Sequence, residues 1–263
     1  MTDTGVGDVS RPSVSEAIER TFKPLQQFTR GWMMAPATAD YGVAVGMRSG
    51  NDFWIVGRAG VMGDCTAETA TAVLGFKEPS SVAAAWAAIP EHLSPSMVAA
   101  EYAGRVLAWG DAELARFDPE RMERLHLLGR RIIDAAPASL GAIFEGWRRM
   151  PQGETYGQRV AMTTQTLREM RGAAHLVAIL SVGLTPLDAI LASTNAPPRT
   201  GPGYAEQMGF VGPFRDPAEV REQRLEAEVI TARMLEPFYG VLSDTELADF
   251  AELVETTRNA IDM

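Results

Sequence analysis

The residues best suited to chemistry in this chain are two arginines and a histidine, Arg168, Arg171 and His175. Their spacing of three and four residues places them on one face of a helix. Two guanidinium groups can bind a carboxylate or a phosphate, and an imidazole can transfer a proton near neutral pH. The spacing therefore indicates a site in which the arginines hold an anion and His175 acts as a general acid or base.

A structural role is the alternative for the same helical face. The arginines would then lie on a solvated surface and pair with Glu169 or with the acidic helices near the C-terminus, and for them this interpretation is favoured. Gly172 lies beside the cluster. Because glycine is a poor helix former, its presence suggests the close approach of another backbone or of a ligand.

The chain does not contain the residue patterns that several other kinds of site require. The three histidines, His92, His126 and His175, are far apart in sequence and form no metal-binding pair. The single cysteine, Cys65, can form neither an intramolecular disulfide nor a multi-cysteine metal site, which fits a reducing cytosol. The glycine-rich nucleotide fingerprints and the nucleophile elbow are also missing. We therefore predict no metal and no cofactor.

Aromatic and methionine side chains offer a second kind of site. The five tryptophans are Trp32, Trp54, Trp86, Trp109 and Trp147, and the chain has thirteen methionines. Such residues can line an apolar ligand pocket, although at helical spacing they more often form plain core. Both interpretations stay open from the sequence.

Helices must position these residues. Apolar residues make up 46% and charged residues 22% of the chain, and alanine and leucine dominate over β-branched runs. Proline after a capping residue marks several helix starts. The pattern predicts an all-α protein, a multi-helix bundle of about nine helices. The predicted helices start near Val14, Pro79, Pro95, Pro119, Pro137, Thr164, Pro186, Pro217 and Ser243.

Two segments are harder to interpret. Residues 33–64 fit either short strands or buried helical turns, and composition favours helix. Residues 195–215 form the longest predicted loop, because their glycine and proline density argues against a regular helix. This loop is either a lid or binding element, or an irregular connection packed down by its aromatic residues.

Domain organisation and charge follow from composition. We predict a disordered tail at 1–13, an N-terminal helical domain at 14–150 and a C-terminal helix-turn-helix-like domain at 151–263. The net charge is −10, and residues 216–263 carry −8 of it, which disfavours binding to nucleic acid. No signal peptide and no apolar run of membrane-spanning length is evident, so we expect a cytoplasmic protein without membrane contact.

A family resemblance rests on the same helix. Residues 167–180 read LREMRGAAHLVAIL and are followed by Gly183-Leu184. This is similar to the L-R-E-H-R-G-D-G-H-V-A-A-L pattern, followed by G-L, of the SalK-like family of actinobacterial helical proteins. Shorter matches are Phe53-Trp54 with Gly57-Arg58-Ala59 and Gly63, Pro24-Leu25, and the late Arg224, Glu228 and Thr231. Together the matches extend over residues 20 to 255.

Three positions depart from the family pattern. Gln26 and Met170 stand where the family has histidines, and Ala173 stands where it has an aspartate. Arg171 and His175 are retained. If the family uses those histidines as ligands or proton carriers, this chain has lost most of the set.

The resemblance implies a helix-turn-helix-type, winged-helix-like architecture. Residues 175–184 and 186–193 would be its first two helices. The Pro/Gly-rich loop stands where the recognition helix is expected, and it offers only Arg199 and Arg215 as cations, against Glu206. A helix in the major groove needs several phosphate and base contacts, so direct DNA reading is disfavoured.

These observations favour a small-molecule-binding protein on a helix-turn-helix-derived scaffold, in specialised metabolism and dimeric through its terminal helices. Arg168, Arg171 and His175, with Arg58 and Trp54, are predicted to contact the ligand. An enzyme of specialised metabolism with His175 as acid/base is the alternative. A transcriptional regulator is the weaker alternative.

Overall fold

The computed structural model of this protein describes residues 13–195 and 198–261, and their regular structure is entirely helical. Thirteen α-helices occur in these residues. They are α1 (Val14–Met33), α2 (Pro36–Ala44), α3 (Gly50–Ala59), α4 (Ala67–Leu74), α5 (Pro79–Ala87), α6 (Pro95–Trp109), α7 (Pro119–Ala135), α8 (Ala142–Arg149), α9 (Tyr156–Ser181), α10 (Pro186–Leu191), α11 (Gly201–Gln207), α12 (Arg221–Tyr239) and α13 (Asp244–Asn259). The predicted all-α class is therefore confirmed.

Side-chain caps begin many of these helices, as the sequence predicts. The hydroxyl of Ser243 accepts a hydrogen bond from the Glu246 amide, and the Glu246 carboxylate accepts one from the Ser243 amide. Such a capping box satisfies amide groups that the first turn leaves unpaired. Ser13 forms the same box with Glu16, and it is the one residue of the predicted tail that the structure describes. Residues 1–12 lie outside the described residues.

The predicted number of nine helices is wrong. Residues 33–64 contain α2 and α3, so the favoured helical interpretation of that segment is confirmed. Helix α4 was missed because its eight residues are too short to show a helical period. Its start is fixed by Thr66, whose side chain accepts a hydrogen bond from the Thr69 amide.

The expectation that residues 195–215 exclude a regular helix is also wrong, because α11 lies within them. Gly201 is the first residue of α11 and has a φ of +74°, a conformation that glycine adopts without strain. Pro202 lies in the first turn, where a missing amide hydrogen breaks no helical hydrogen bond. Ala205 is fully buried and anchors the turn. Glycine and proline here lie in the first turn of a short helix and do not prevent it from forming.

Helix α9 is the central element, with α1, α6, α7, α8 and α12 packed around it. Residues 160–167 are buried on every side, which requires their polar side chains to find partners inside the protein. The hydroxyls of Thr164 and Thr166 donate to the carbonyl groups of Ala161 and Met162. The helix starts at Tyr156, eight residues before its predicted start at Thr164, and carries the predicted cluster in its second half.

A close backbone approach fixes the start of α9 against the end of α6. Helix α6 continues into a π-helical turn at Gly110–Leu114. A Cβ on Gly110 would lie 2.5 Å from the carbonyl oxygen of Gly157, a distance that no side chain tolerates. The two glycines therefore allow the two helices to touch at this crossing.

The predicted domain boundary falls in the connection between α8 and α9. Helices from both sides of it pack against α9. The division into domains at 14–150 and 151–263 stays a prediction. In the described residues no helix combines the length and the apolar character needed to cross a membrane.

Candidate functional site

A cavity of about 450 Å³ lies beside the second half of α9. Its walls come from α1, α3, α9 and α12, from the turn between α4 and α5, and from the segment that joins α10 to α11. This volume is within the usual range for small-molecule sites. All five predicted site residues line it, namely Trp54, Arg58, Arg168, Arg171 and His175.

One wall is built on a buried carboxylate, Glu169. Arg58 donates from Nε and Nη2 to its two oxygens, at 3.0 and 2.8 Å. Arg168 donates from Nη1 to Oε1 at 2.6 Å, and Gln165 donates to the same oxygen at 2.9 Å. Burial acts to raise the pKa of Glu169, but Arg58 and Arg168 overcome that effect and hold it below its usual value. Glu169 is therefore an anion that fixes two arginines at the cavity surface.

A second wall repeats this arrangement on α9 and α12. Arg171 donates from Nη2 to Glu228 at 2.5 Å, and Arg224 lies 2.6 Å from the other oxygen of that carboxylate. The guanidinium carbon of Arg171 stands 3.3 Å from the centroid of the Phe22 ring, a cation–π arrangement. Burial is the largest cause that lowers the pKa of Arg171 to about 10, so it stays protonated at neutral pH.

His175 has a defined tautomer. The hydroxyl of Thr231 has one hydrogen, which it donates to the carbonyl of Ala227 at 2.6 Å. Its oxygen lies 2.9 Å from Nδ1 of His175 and must therefore accept a hydrogen bond from that nitrogen. The proton of the neutral ring is thus on Nδ1, and Nε2 has the free lone pair. The ring also stacks on Phe76 at 6.0 Å between centroids.

The same imidazole is held neutral. Burial, followed by the positive charges of Arg171 and Arg224, lowers the pKa of His175 to about 2. A general base works best with a pKa near the operating pH. The geometry therefore makes His175 a hydrogen-bonding group of the cavity wall and a weak proton acceptor.

Lys77 is a sixth functional side chain, which the sequence analysis did not single out. It is 4% exposed, and its Nζ donates to Oδ1 of Asn51 at 3.0 Å. The same Nζ lies 4.8 Å from the Trp54 ring centroid. Arg58 approaches that ring too, at 5.8 Å. Trp54 therefore lies close to two cations of the cavity.

The charge of the cavity is opposite to that of the whole chain. Seven cationic side chains line it, whereas Glu228 is the one acidic lining residue among the described residues and Glu169 lies buried behind Arg58 and Arg168. The cationic residues are Arg30, Arg58, Lys77, Arg168, Arg171, Arg199 and Arg224. Arg30 and Arg199 form no ion pair with any described residue, and burial and then Arg30 lower the pKa of Arg199. The site is thus strongly electropositive within a protein of net charge −10.

The structural interpretation of the arginines is confirmed in part. Arg168 pairs with Glu169, and Arg171 pairs with the acidic helix α12, as expected. The expected solvated face is wrong, since the two side chains are only 23% and 14% exposed. A Cβ on Gly172 would have no backbone atom of another segment within 4 Å, and its nearest neighbour would be Nη2 of Arg58 at 3.9 Å. Its missing side chain leaves room in the cavity instead.

The tryptophans divide between the two predicted roles. Trp54 lines the cavity, whereas Trp32 and Trp147 are fully buried in the core. Trp86 and Trp109 are half-buried and pack against the core. The core interpretation is therefore confirmed for Trp32 and Trp147, and a ligand-binding role for Trp54 stays a prediction.

Some cavity residues that were not predicted carry a signal in the sequence. Lys77 is one of only two lysines in a chain with twenty-two arginines. Arg224, Glu228 and Thr231 carry part of the family resemblance, and they are spaced along one face of α12. For Arg30 and Arg199 we find no such signal, because long-range packing alone brings them to the cavity.

Metal-binding geometry is absent from the part of the chain that the structure describes. No group of three or more histidine, cysteine, aspartate or glutamate side chains is arranged to hold an ion there.

Among the positions that depart from the family pattern, Gln26 lines the cavity and Met170 is fully buried in the core.

The described residues form an all-helical fold in which α9, α10 and α11 follow one another beside the cavity. The model of a helix-turn-helix family matches residues 15–262, and the chain belongs to that family. No curated protein and no solved structure matches the chain. The narrower SalK-like resemblance, with its actinobacterial origin, stays a prediction.

Proposed function

We propose that this protein binds a small anionic molecule with an apolar or aromatic body in the cavity beside α9. The excess of cations around that cavity carries the proposal. Glu169 and Glu228 are each shared by two arginines, so each cluster keeps about one uncompensated positive charge. Such a charge in a poorly solvated site attracts an anion more strongly than it would in water.

Unused hydrogen-bond donors support the same ligand class. Among the described residues, Nε and Nη2 of Arg168 have no acceptor, and neither do Nε and Nη1 of Arg171. Nε and Nη2 of Arg168 point to the same side and form the paired donors that bind a carboxylate or a phosphate, whereas Nε and Nη1 of Arg171 each offer a separate hydrogen bond. The rings of Phe22, Trp54 and Phe76 supply apolar walls for the rest of the ligand.

We infer that the helix-turn-helix scaffold does not read DNA. Helix α11 follows α10 where a recognition helix would stand, but it has only seven residues. Its exposed residues are Pro202, Gly203, Glu206 and Gln207, which include no cation. Binding to DNA depends on neutralising phosphates with lysine and arginine. A transcriptional regulator therefore stays the weaker alternative.

Nothing in the geometry favours an enzyme that uses His175 as its acid or base. A histidine held neutral with a pKa of about 2 supports proton transfer poorly at pH 7. Catalysis by His175 stays a prediction, as do a role in specialised metabolism, a homodimer and a cytoplasmic location.

A thermal-shift screen tests the binding proposal, because a ligand of the native state must raise the melting temperature. The screen pairs each aromatic acid with its neutral amide, for example indole-3-acetate with indole-3-acetamide. We expect the acids alone to stabilise the protein. Arg168→Gln should weaken that binding about 10- to 100-fold, the usual loss of a charged hydrogen bond.

The Arg168→Gln variant should still fold, since Glu169 retains Arg58 and Gln165 as hydrogen-bond donors. Arg149→Gln is the matched control, because Arg149 is 76% exposed and does not line the cavity. Equal stabilisation by acids and amides, or equal effects of the two variants, would contradict an anion site.

A further inference from the structure

Lys77 is the one amine among the cations that line the cavity in the described residues, and the others are arginines. The chain has two lysines against twenty-two arginines. Lys23 is exposed on α1, whereas Lys77 is 4% exposed and lines the cavity. An arginine would supply a permanent positive charge at this place, but an amine can also act as a nucleophile.

The contacts of Lys77 hold the amine in place without pairing it with a carboxylate. Its Nζ donates to the amide oxygen of Asn51 at 3.0 Å and lies 4.8 Å from the Trp54 ring centroid. No carboxylate of the described residues lies within ion-pair distance of it. The side chains of Asn51, Trp54 and Lys77 all line the same cavity, so the amine is held at the place where a ligand would lie.

The surroundings also make the amine easier to deprotonate. Burial lowers the pKa of Lys77 to about 8, and the attraction of Asp52 opposes that change only in part. Asp52 is already paired with Arg48, and Arg58 faces the same Trp54 ring from α3. Roughly a tenth of the Lys77 amines are then neutral at pH 7, against fewer than one in a thousand for a lysine in water.

We propose that Lys77 captures the carbonyl group of an anionic aldehyde or ketone as a reversible imine. The inference rests on the proposed function, because the cavity arginines would hold the anionic group while the carbonyl lies against Nζ. Amines that are desolvated, or placed near other cations, form such adducts in proteins. An anionic carbonyl compound with an aromatic body is therefore the ligand class that fits the whole cavity.

The reaction needs no further reagent. The lone pair of the neutral Nζ forms a bond to the carbonyl carbon, and the carbonyl π electrons move to the oxygen. A proton passes from nitrogen to that oxygen to give a carbinolamine. Loss of the hydroxyl group and of a second nitrogen proton releases one water molecule and leaves the C=N bond.

Reductive trapping with 4-carboxybenzaldehyde and cyanoborohydride tests this step on the full chain. Intact mass gives the number of adducts, and peptide mapping gives their position. Lys23 and the N-terminal amine serve as internal controls. We expect Lys77 to be labelled at least ten times faster than Lys23, and 4-methylbenzaldehyde, which lacks the anion, to lose that preference.

Two further measurements keep the proposal falsifiable. Lys77→Arg should lose the fast adduct while keeping the charge, and Lys23→Arg should keep it. Terephthalate, an unreactive dianion of similar shape, should suppress labelling of Lys77 in the unmodified chain and leave Lys23 unaffected, which tests the site without any variant.

The outcomes separate this inference from the proposed function. If terephthalate raises the melting temperature but Lys77 is labelled no faster than Lys23, the imine inference is overturned and anion binding stands. If terephthalate neither stabilises the protein nor protects Lys77, and labelling is unselective, both are overturned. Selective labelling that terephthalate suppresses supports both.

Discussion

Arg58 and Glu169 join α3 to α9 through three hydrogen bonds, of which the shorter two run from Nε to Oε1 at 3.0 Å and from Nη2 to Oε2 at 2.8 Å. The glutamate side chain is 1% exposed and that of the arginine 12%. Removing one partner of a buried pair leaves an uncompensated charge inside the protein, which is more costly than losing a surface pair. This pair therefore supports both the fold and the cavity wall.

Glu169→Gln should destabilise the protein by about 3–5 kcal/mol, because Arg58 and Arg168 would keep their charges without an anion between them. The measurement is the free energy of unfolding in urea at pH 7. Glu255→Gln is the control, since Glu255 pairs with Arg20 at the surface and such pairs contribute about 1 kcal/mol or less. Similar losses in the two variants would show that burial of the Glu169 pair has no energetic consequence.

His175 should make stability fall in acid. Its pKa is about 2 in the folded protein, below the ordinary value of about 6.5 in the unfolded chain, so the unfolded state binds the extra proton between those values. The contribution of His175 to the free energy of unfolding is then fully present above pH 6.5 and is lost progressively as the pH falls towards 2. Each pH unit in that window costs about 1.4 kcal/mol from this group.

The test compares urea unfolding at pH 6.5 and pH 5 for the native chain and for His175→Asn, which keeps a donor for Thr231 but does not titrate. We expect the native chain to lose about 2 kcal/mol more than the variant. Burial also lowers the pKa of His126, but that histidine contributes equally to both proteins. Parallel pH dependence in the two would show that His175 is not held neutral.

Gly172 offers a way to fill the cavity without breaking an ion pair. A Cβ there would meet no atom closer than 3.9 Å, so Gly172→Ala should stabilise α9 by up to about 1 kcal/mol through helix propensity. Gly172→Leu extends into the ligand space and should weaken binding of aromatic acids at least tenfold. Thermal unfolding and titration with indole-3-acetate measure the two effects, and unchanged affinity in the leucine variant would place the ligand elsewhere.

The helix-turn-helix scaffold should show no specific affinity for DNA. We expect fluorescence anisotropy with duplexes from the upstream region of its own gene to give no binding below micromolar concentration at physiological salt. The reason is that α11 exposes Glu206 and no cation. Nanomolar binding that weakens steeply with salt would contradict the prediction and restore the regulator alternative.

The sequence alone determined the helical class and most helix starts. Prolines after capping residues, as at Asp118-Pro119, and capping boxes, as at Ser243 and Glu246, act within one turn, so their effect is visible in local sequence. The shared face of Arg168, Arg171 and His175 also follows from helical geometry alone. Short helices such as α4 and α11 were missed because seven or eight residues show no clear period.

Tertiary structure alone decided what that face does. Arg58 and Lys77 come from segments about a hundred residues away from α9, and no local pattern encodes their approach to it. Packing converted an apparently solvated arginine face into the wall of a cavity, paired it with Glu169 and Glu228, and held His175 neutral. Burial and neighbouring charge set the chemistry of these groups, and both depend on contacts between residues far apart in the chain.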